Sequence, residues 1–170
     1  AFPSGVKKGQ NVRKKAEEFA KGAVCMEKGT RIMPPHINFL ATLGIPEVLV
    51  FRKVRVAFFS TGDELQSLGS PLKDGHIYDS NRYAIRALLE SAGFETKDLG
   101  IVKDNPESLK ETFQKAADCA DAVITSGGVS VGKADFTRTV VEELGELVQW
   151  QCRIKPGRPL ACLLYTSDAA

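Results

Sequence analysis

The chain has 170 residues, of which 23 are Lys or Arg and 21 are Asp or Glu, so its formal net charge is +2. With 43% hydrophobic and 26% charged residues it has the composition of an ordinary soluble globular protein. The near-balance of charge gives no support for a nucleic-acid or membrane surface. No apolar run reaches the roughly 18 residues that a membrane span needs, and no secretory signal pattern is present. These features predict a cytoplasmic protein without a nucleic-acid or membrane partner. The four cysteines lack metal-ligand spacing and are expected to be reduced thiols: Cys25, Cys119, Cys152 and Cys162.

Residues 1–52 are basic at the start and are interrupted by glycine and proline. We expect them to form part of a small mixed domain, because a core of this size rarely stands alone. Within this region the sequence predicts a short helix over 34–43, ended by Gly44, and strands at Val24 and over 48–51.

Residues 53–161 alternate between β-forming apolar runs and segments with helical spacing, and 162–170 form a tail with no assignment. The order β-α-β-α-β-α-β predicts an α/β fold, a parallel sheet flanked by helices on both faces. The predicted strands are 54–59, 94–102, 122–125 and 147–154, and the predicted helices are 80–92, 136–144 and one that starts at Pro106.

In a parallel α/β sheet the ligand binds beyond the carboxyl ends of the strands. The loops that follow the predicted strands hold most of the chain's polar chemistry, at residues 61–64, 104–105, 126–135 and 155–158. We therefore expect one functional rim.

The loop over 125–135, TSGGVSVGKAD, joins a strand to a helix and contains three glycines. It is neither a P-loop nor a dinucleotide fingerprint. Its main-chain N–H groups and the following helix N-terminus favour an anion-binding nest. A plain strand-to-helix connection is the alternative.

Three carboxylates belong to the same rim: Glu64, Asp104 and Asp135. Each has a simple structural explanation, Asp135 as a helix N-cap, Asp104 as a turn residue and Glu64 as a solvated loop residue. Together, beside an anion nest, they suit a divalent metal that bridges an anionic ligand.

A stiff basic segment, Lys155-Pro156-Gly157-Arg158-Pro159, follows the last predicted strand. Because prolines restrict the backbone, Lys155 and Arg158 could clamp a phosphate or an oxyanion. A solvated turn explains the segment equally well.

Four blocks, in this order and spacing, resemble the molybdopterin molybdenumtransferase family, the MoeA and gephyrin E-domain type. They are FSTGDEL at 59–65, IYDSN at 77–81, SGGVSVG at 126–132 with Asp135 and Thr137, and KPGRP at 155–159. The resemblance covers roughly residues 11 to 161 and implies a molybdopterin-binding, MogA-like fold.

The resemblance also implies a reaction, the insertion of molybdenum from molybdate into adenylated molybdopterin with release of AMP, assisted by Mg²⁺. It implies that Glu64, Asp104 and Asp135 serve catalysis and metal binding and that Lys155 holds the oxyanion. Cofactor binding is implied for a larger set: Thr61, Gly127, Gly128, Ser130, Pro156, Gly157, Arg158 and Arg13.

By this resemblance the chain is the middle part of a longer enzyme that forms a homodimer, with a molybdopterin adenylyltransferase as a candidate partner. We expect the isolated fragment to have little or no activity. Two alternatives stay open: an adenylyltransferase of the same fold, and a non-catalytic molybdopterin-binding or scaffold module. The second is favoured by Gln151, which stands where the family usually has Lys or Arg.

Overall fold

A computed structural model describes residues 4–127, 136–151, 153 and 159–164. The chain divides into two compact units, Ala1–Phe51 and Arg52–Ala170. Within the described part, no helix has the length and apolar character to cross a membrane.

The first unit contains one helix, α1, over Pro34–Thr42. Gly44 follows it with a left-handed φ of 71°, in agreement with the predicted stop. The rings of Phe19 and Phe39 meet edge to face with centroids 4.9 Å apart. The strands expected at Val24 and over 48–51 do not form. A β-forming sequence becomes a strand only where a neighbouring strand accepts its hydrogen bonds, and the described residues of this unit contain no such neighbour.

The second unit carries the α/β fold that the sequence predicts. Its elements are β1 (Arg55–Thr61), β2 (Leu65–Gln66), β3 (Ile77–Tyr78), α2 (Ser80–Ser91), β4 (Glu95–Val102), α3 (Pro106–Cys119), β5 (Ala122–Ser126), α4 (Phe136–Leu144), β6 (Glu146–Gln151) and β7 (Pro159–Leu164). The three-stranded sheet has the order β4-β1-β5 and is parallel throughout. A separate parallel pair, β2 with β3, lies in the connection after β1.

Helices cover both faces of this sheet. On one face Phe59 packs with residues of α3 and α4, and its ring meets that of Phe113 edge to face at 5.2 Å. On the other face the hydroxyl of the next residue, Ser60, donates to Asp79 at the start of α2. Because successive strand residues point to opposite faces, α2 lies across the sheet from α3 and α4. The central strand β1 is therefore buried on both sides from Val56 to Thr61.

Helices α2 and α3 begin where polar side chains cap their first amides. Asn105 Oδ1 accepts from Ser108 N at 2.9 Å, and Pro106 occupies the first turn of α3, as the sequence predicts. Asp79 caps α2 in the same way by accepting from Arg82 N.

The last predicted strand forms, but it does not extend the parallel sheet. β6 pairs antiparallel with β7, with Glu146 opposite Leu164. Parallel strands buried on both faces have continuous apolar runs, as β1 does. β6 instead interleaves Gln149 and Gln151 with apolar residues, a pattern that suits a hairpin. β7 continues past Ala161 into the segment that the sequence left unassigned.

Candidate functional site at the carboxyl edge of the sheet

The carboxyl ends of the three parallel strands are level with one another. Thr61, the last residue of β1, is opposite Val102, the last residue of β4. Ser60 is opposite Ser126, the last residue of β5. The three loops that follow these strands therefore leave the sheet at one edge, as the sequence predicts. We call the strand ends together with these loops the carboxyl edge: residues 61–64, 103–105 and 125–127.

Two glycines allow the backbone to approach closely at the carboxyl edge. A Cβ on Gly127 would lie 2.3 Å from the carbonyl oxygen of Thr61, and the φ of Gly127 is 102°. No side chain fits there without moving the main chain. A Cβ on Gly62 would lie 2.7 Å from Oε2 of Glu64, so the Glu64 carboxylate folds back over the turn that ends β1.

Buried polar oxygens at the carboxyl edge lack hydrogen-bond partners among the described residues. They are Thr61 Oγ1, Asp104 Oδ1 and Thr125 Oγ1, one from the end of each parallel strand or the loop after it. Thr137 Oγ1, in the first turn of α4, is a fourth. More than nine in ten buried polar groups in proteins are paired. Oxygens at the ends of all three strands thus lack partners in the described ranges, and a ligand, a metal, water or the chain outside those ranges would have to supply them.

Asn81 contacts the carboxyl edge, although it is not among the predicted site residues. It is in the first turn of α2, and its Nδ2 donates to Ser126 Oγ at 3.1 Å. This bond ties the α2 N-terminus to the end of β5. The available signal was its place in the IYDSN block at 77–81, one of the four blocks that carry the family resemblance.

Glu64, Asp104, Thr61 and Gly127 all belong to loops at the carboxyl edge, as predicted. Arg13 lies in the first unit, where it pairs with Glu18 on the surface. Among the residues that the structure describes, no group of three His, Cys, Asp or Glu side chains comes together as a metal site. The other predicted site residues lie outside the described ranges: Gly128, Ser130, Asp135, Lys155, Pro156, Gly157 and Arg158.

The opposite, amino edge of the sheet is organised around Asp121. Its carboxylate receives both Nη atoms of Arg52, at 2.5 and 2.6 Å, and the main-chain N–H of Arg55 at 2.8 Å. The hydrogen bonds from Arg52 and then from Arg55 hold the pKa of Asp121 well below its usual range. Asp121 N donates in turn to Arg55 O. Both oxygens of this carboxylate are therefore paired.

Chemically, the carboxyl edge offers carboxylates, hydroxyls and a tight glycine turn before a helix. This defines a class, an α/β domain with a polar site beyond the ends of its parallel strands. Two family matches agree with the class. Residues 57–168 match the family described as a probable molybdopterin binding domain, and residues 3–44 match the MoeA N-terminal region, domains I and II. The first match runs past Ala161, where the sequence pattern was expected to end.

Similar proteins point the same way. A protein from Haemophilus influenzae named molybdopterin molybdenumtransferase is 46% identical over 155 residues, which are 91% of this chain and 38% of that protein. One of the same name from Nostoc is 42% identical, over 96% of this chain and 38% of the relative. The crystal structure of a molybdopterin biosynthesis MoeA protein from Pyrococcus horikoshii has a TM-score of 0.69 and 39% identity, over 82% of this chain and 34% of that one.

The chain therefore belongs to the family of proteins with this molybdopterin-binding domain, and its N-terminal match places it with the MoeA type. It spans less than two fifths of the length of the curated relatives just named.

Proposed function

We propose that the chain is the molybdopterin-binding part of a molybdopterin molybdenumtransferase, an enzyme of molybdenum cofactor biosynthesis. One observation carries the proposal. Within the segment that matches the molybdopterin-binding domain, unpaired buried oxygens of Thr61, Asp104 and Thr125 gather at the carboxyl edge. A bound polar ligand would supply the missing partners. The names of the relatives support molybdopterin as that ligand.

The reaction proposed for the whole protein takes adenylated molybdopterin and molybdate, releases AMP and leaves molybdenum on the cofactor. In this scheme Gly127, with Gly128 and Ser130, receives the phosphate, because main-chain N–H groups ahead of a helix bind anions. Thr61 adds a hydroxyl at the same edge. Lys155 holds the oxyanion. The remaining proposed contacts to the cofactor come from Pro156, Gly157, Arg158 and Arg13.

Mg²⁺ fits the side chains that the carboxyl edge provides. It prefers oxygen ligands and often keeps several waters while it binds one or two carboxylates and a substrate phosphate. Glu64 and Asp104 supply such carboxylates, and Asp104 has an oxygen with no partner in the described part of the chain. Asp135 is the proposed third. When bound, the ion would neutralise phosphate charge.

The proposal for the whole protein includes a homodimer, a molybdopterin adenylyltransferase as partner and a cytoplasmic location. The chain itself spans less than two fifths of its curated relatives. We accordingly expect it to bind molybdopterin while releasing little or no AMP on its own.

The test is a titration of the chain with molybdopterin in the presence of Mg²⁺. We expect saturable binding that Asp104→Asn and Glu64→Gln each weaken by about tenfold or more, the usual size for a lost charged contact. The free energy of unfolding should not fall in Asp104→Asn, because its buried oxygen has no bond to a described residue to lose.

Glu111→Gln is the matched control, since this exposed glutamate of α3 lies outside the carboxyl edge. It should bind like the unchanged chain. If Asp104→Asn and Glu64→Gln also bind like the unchanged chain, the proposed site is wrong. Robust AMP release by the isolated chain would overturn the expected inactivity. Tight binding without AMP release by the complete parent protein would favour a scaffold module instead.

A further inference from the structure

Strand β4 contains a β-bulge opposite the end of β1. Phe58 is paired with Asp98, whereas Ser60 is paired with Ile101, so Leu99 and Gly100 together occupy the place opposite Phe59. Gly100 has a left-handed φ of 84°. Bulges are rare between parallel strands and are over-represented beside active sites, where they redirect a side chain.

The bulge changes which face of the sheet the end of β4 presents. Leu99 and Val102 are three residues apart, yet both pack in the core formed by Phe59, α3 and α4. Regular alternation would send them to opposite faces. The extra residue therefore determines the direction in which the chain continues from Val102. Asp104 follows two residues later.

Asp98 holds the bulge from outside the core. Its Oδ1 accepts from the main-chain N–H of Gly100 at 2.8 Å and from Nη1 of Arg82 at 3.0 Å. One carboxylate oxygen thus connects the bulged backbone to a guanidinium. Nη1 of that guanidinium would lie 3.9 Å from a Cβ added at Gly100.

Arg82 is itself held firmly. It is 9% exposed, in a helix whose other charged residues are exposed. Its Nη2 donates to Ser67 Oγ at 3.1 Å, and its Nε lies 3.2 Å from Oδ2 of Asp79, within ion-pair range but not aligned as a hydrogen bond. Asp79 is 2% exposed and also accepts from Ser60 on β1. The guanidinium is therefore fixed relative to the central strand.

Burying these charges costs desolvation energy, and stability alone is a weak reason to keep a buried ion pair. Capping does not explain Arg82 either, because Asp79 caps α2 through the main-chain N–H of residue 82, which any side chain other than proline preserves. What the guanidinium adds is the contact to Asp98 at the bulge.

We propose that Arg82 is a positioning residue which, through Asp98 and the bulge, fixes the direction in which Asp104 enters the carboxyl edge. The chain of contacts runs from Asp79 through Arg82 and Asp98 to the N–H of Gly100. The inference rests on the proposed function for the ligand role of Asp104, but the contact chain is independent of it.

The experiment compares Asp98→Ala with Asp98→Asn. Alanine removes the acceptor that Arg82 and Gly100 share, whereas the amide oxygen of asparagine still accepts from both. Asp98 is partly exposed, with a side-chain accessibility of 32%. Its truncation therefore opens no closed cavity, and its direct effect is to leave the Gly100 N–H and Arg82 Nη1 without this shared acceptor. Arg86→Ala, which breaks the Arg86–Glu90 pair on the same helix, is the matched control.

In Asp98→Ala, hydrogen exchange of the Gly100 amide should rise about fivefold to tenfold, the effect of losing one hydrogen bond. The amide resonances of residues 103–105 should shift, and molybdopterin affinity should fall by about tenfold or more, as when a partner that orients a ligand side chain is lost. Asp98→Asn should restore all three, and Arg86→Ala should leave them unchanged.

A double-mutant cycle shows whether the effect passes through Asp104. In an Asp104→Asn background, Asp98→Ala should cause no further loss of affinity. The inference would be overturned if the amide resonances of residues 103–105 did not move in Asp98→Ala. It would also be overturned if the loss of affinity in Asp98→Ala added fully to the loss in Asp104→Asn. Failure of the proposed function looks different, because Asp104→Asn alone would then bind molybdopterin like the unchanged chain.

Discussion

The two edges of the parallel sheet differ in how their side-chain oxygens are paired. At the amino edge, Asp121 is paired with Arg52 and with the main chain of Arg55. At the carboxyl edge, Thr61 and Asp104 keep buried oxygens without partners among the described residues. Both edges are built from the ends of the same three strands.

The difference separates stability from function. A paired carboxylate lowers the free energy of the folded state relative to the unfolded state, whereas an unpaired buried oxygen raises it. A protein retains an unpaired buried oxygen where a bound ligand later supplies its hydrogen-bond partner. Changes at the amino edge should therefore alter stability and spare binding, while polar changes at the carboxyl edge should do the reverse.

The largest effect should come from Gly127→Ala. The new Cβ would meet the Thr61 carbonyl at 2.3 Å in a left-handed backbone conformation. We expect a loss of about 2–4 kcal/mol in the free energy of unfolding, from overpacking and backbone strain together. Chemical denaturation measures it.

Gly93→Ala isolates the strain component for comparison. Gly93 also has a positive φ, 87°, but a Cβ there would have nothing within 4 Å. Its substitution should cost only about 1 kcal/mol. Equal losses for the two variants would show that the close approach at the carboxyl edge is not as tight as the structure indicates.

A smaller change of opposite sign is expected for Thr61→Val. The substitution removes a buried hydroxyl whose oxygen has no partner among the described residues, so unfolding should require up to about 1 kcal/mol more. Molybdopterin binding should weaken, because the hydroxyl is a proposed contact. Thermal unfolding and the titration give the two values.

Thr112→Val is its control, since the Thr112 hydroxyl donates to Ser108 O at 2.7 Å. That variant should lose stability and keep its affinity. A Thr61→Val chain that is destabilised would mean that the Thr61 hydroxyl already has a partner.

The smallest effect should come from Asp121→Asn at the amino edge, and it should depend on pH. Because Arg52 and Arg55 lower the pKa of Asp121 in the folded state, the ionised carboxylate stabilises the fold above its unfolded pKa of about 3.9. That contribution is lost as the pH falls further, through the lower folded-state pKa. The melting temperature of the variant should be lower than that of the unchanged chain at pH 6, and this difference in melting temperature should become smaller towards pH 2.

Molybdopterin affinity should not change in Asp121→Asn. Added salt should also reduce the difference in melting temperature at pH 6, since the pair is largely exposed. A difference that stays constant from pH 6 to pH 2 would contradict the charge explanation.

Local chemistry made much of this fold predictable from sequence. Asn105-Pro106 predicts the start of α3 because both residues act within one turn, and Gly93 marks the end of α2 for the same reason. The shared edge followed from strand order, since parallel strands joined by helices bring their loops to one side. This reasoning placed Glu64, Asp104, Thr61 and Gly127 at the carboxyl edge, and their roles in binding stay predictions.

The rest depends on partners distant in the chain. Arg82 looks like any exposed helical arginine until Asp98, from the next strand, comes within 3.0 Å. The bulge at Leu99 and Gly100 is defined only against β1. Likewise β6 was assigned correctly as a strand, but its partner β7 was not identified, so its sheet was wrong.

The position of β1 in the sheet has a consequence for biosynthesis. The first strand of the sheet to leave the ribosome is its centre, and both neighbours, β4 and β5, are translated later. At ordinary elongation speed the Phe58–Phe59 segment waits several seconds for its second neighbour. Nascent chains that stop before Ala122 should therefore expose an unpaired apolar edge and be the ones that aggregate or recruit chaperones.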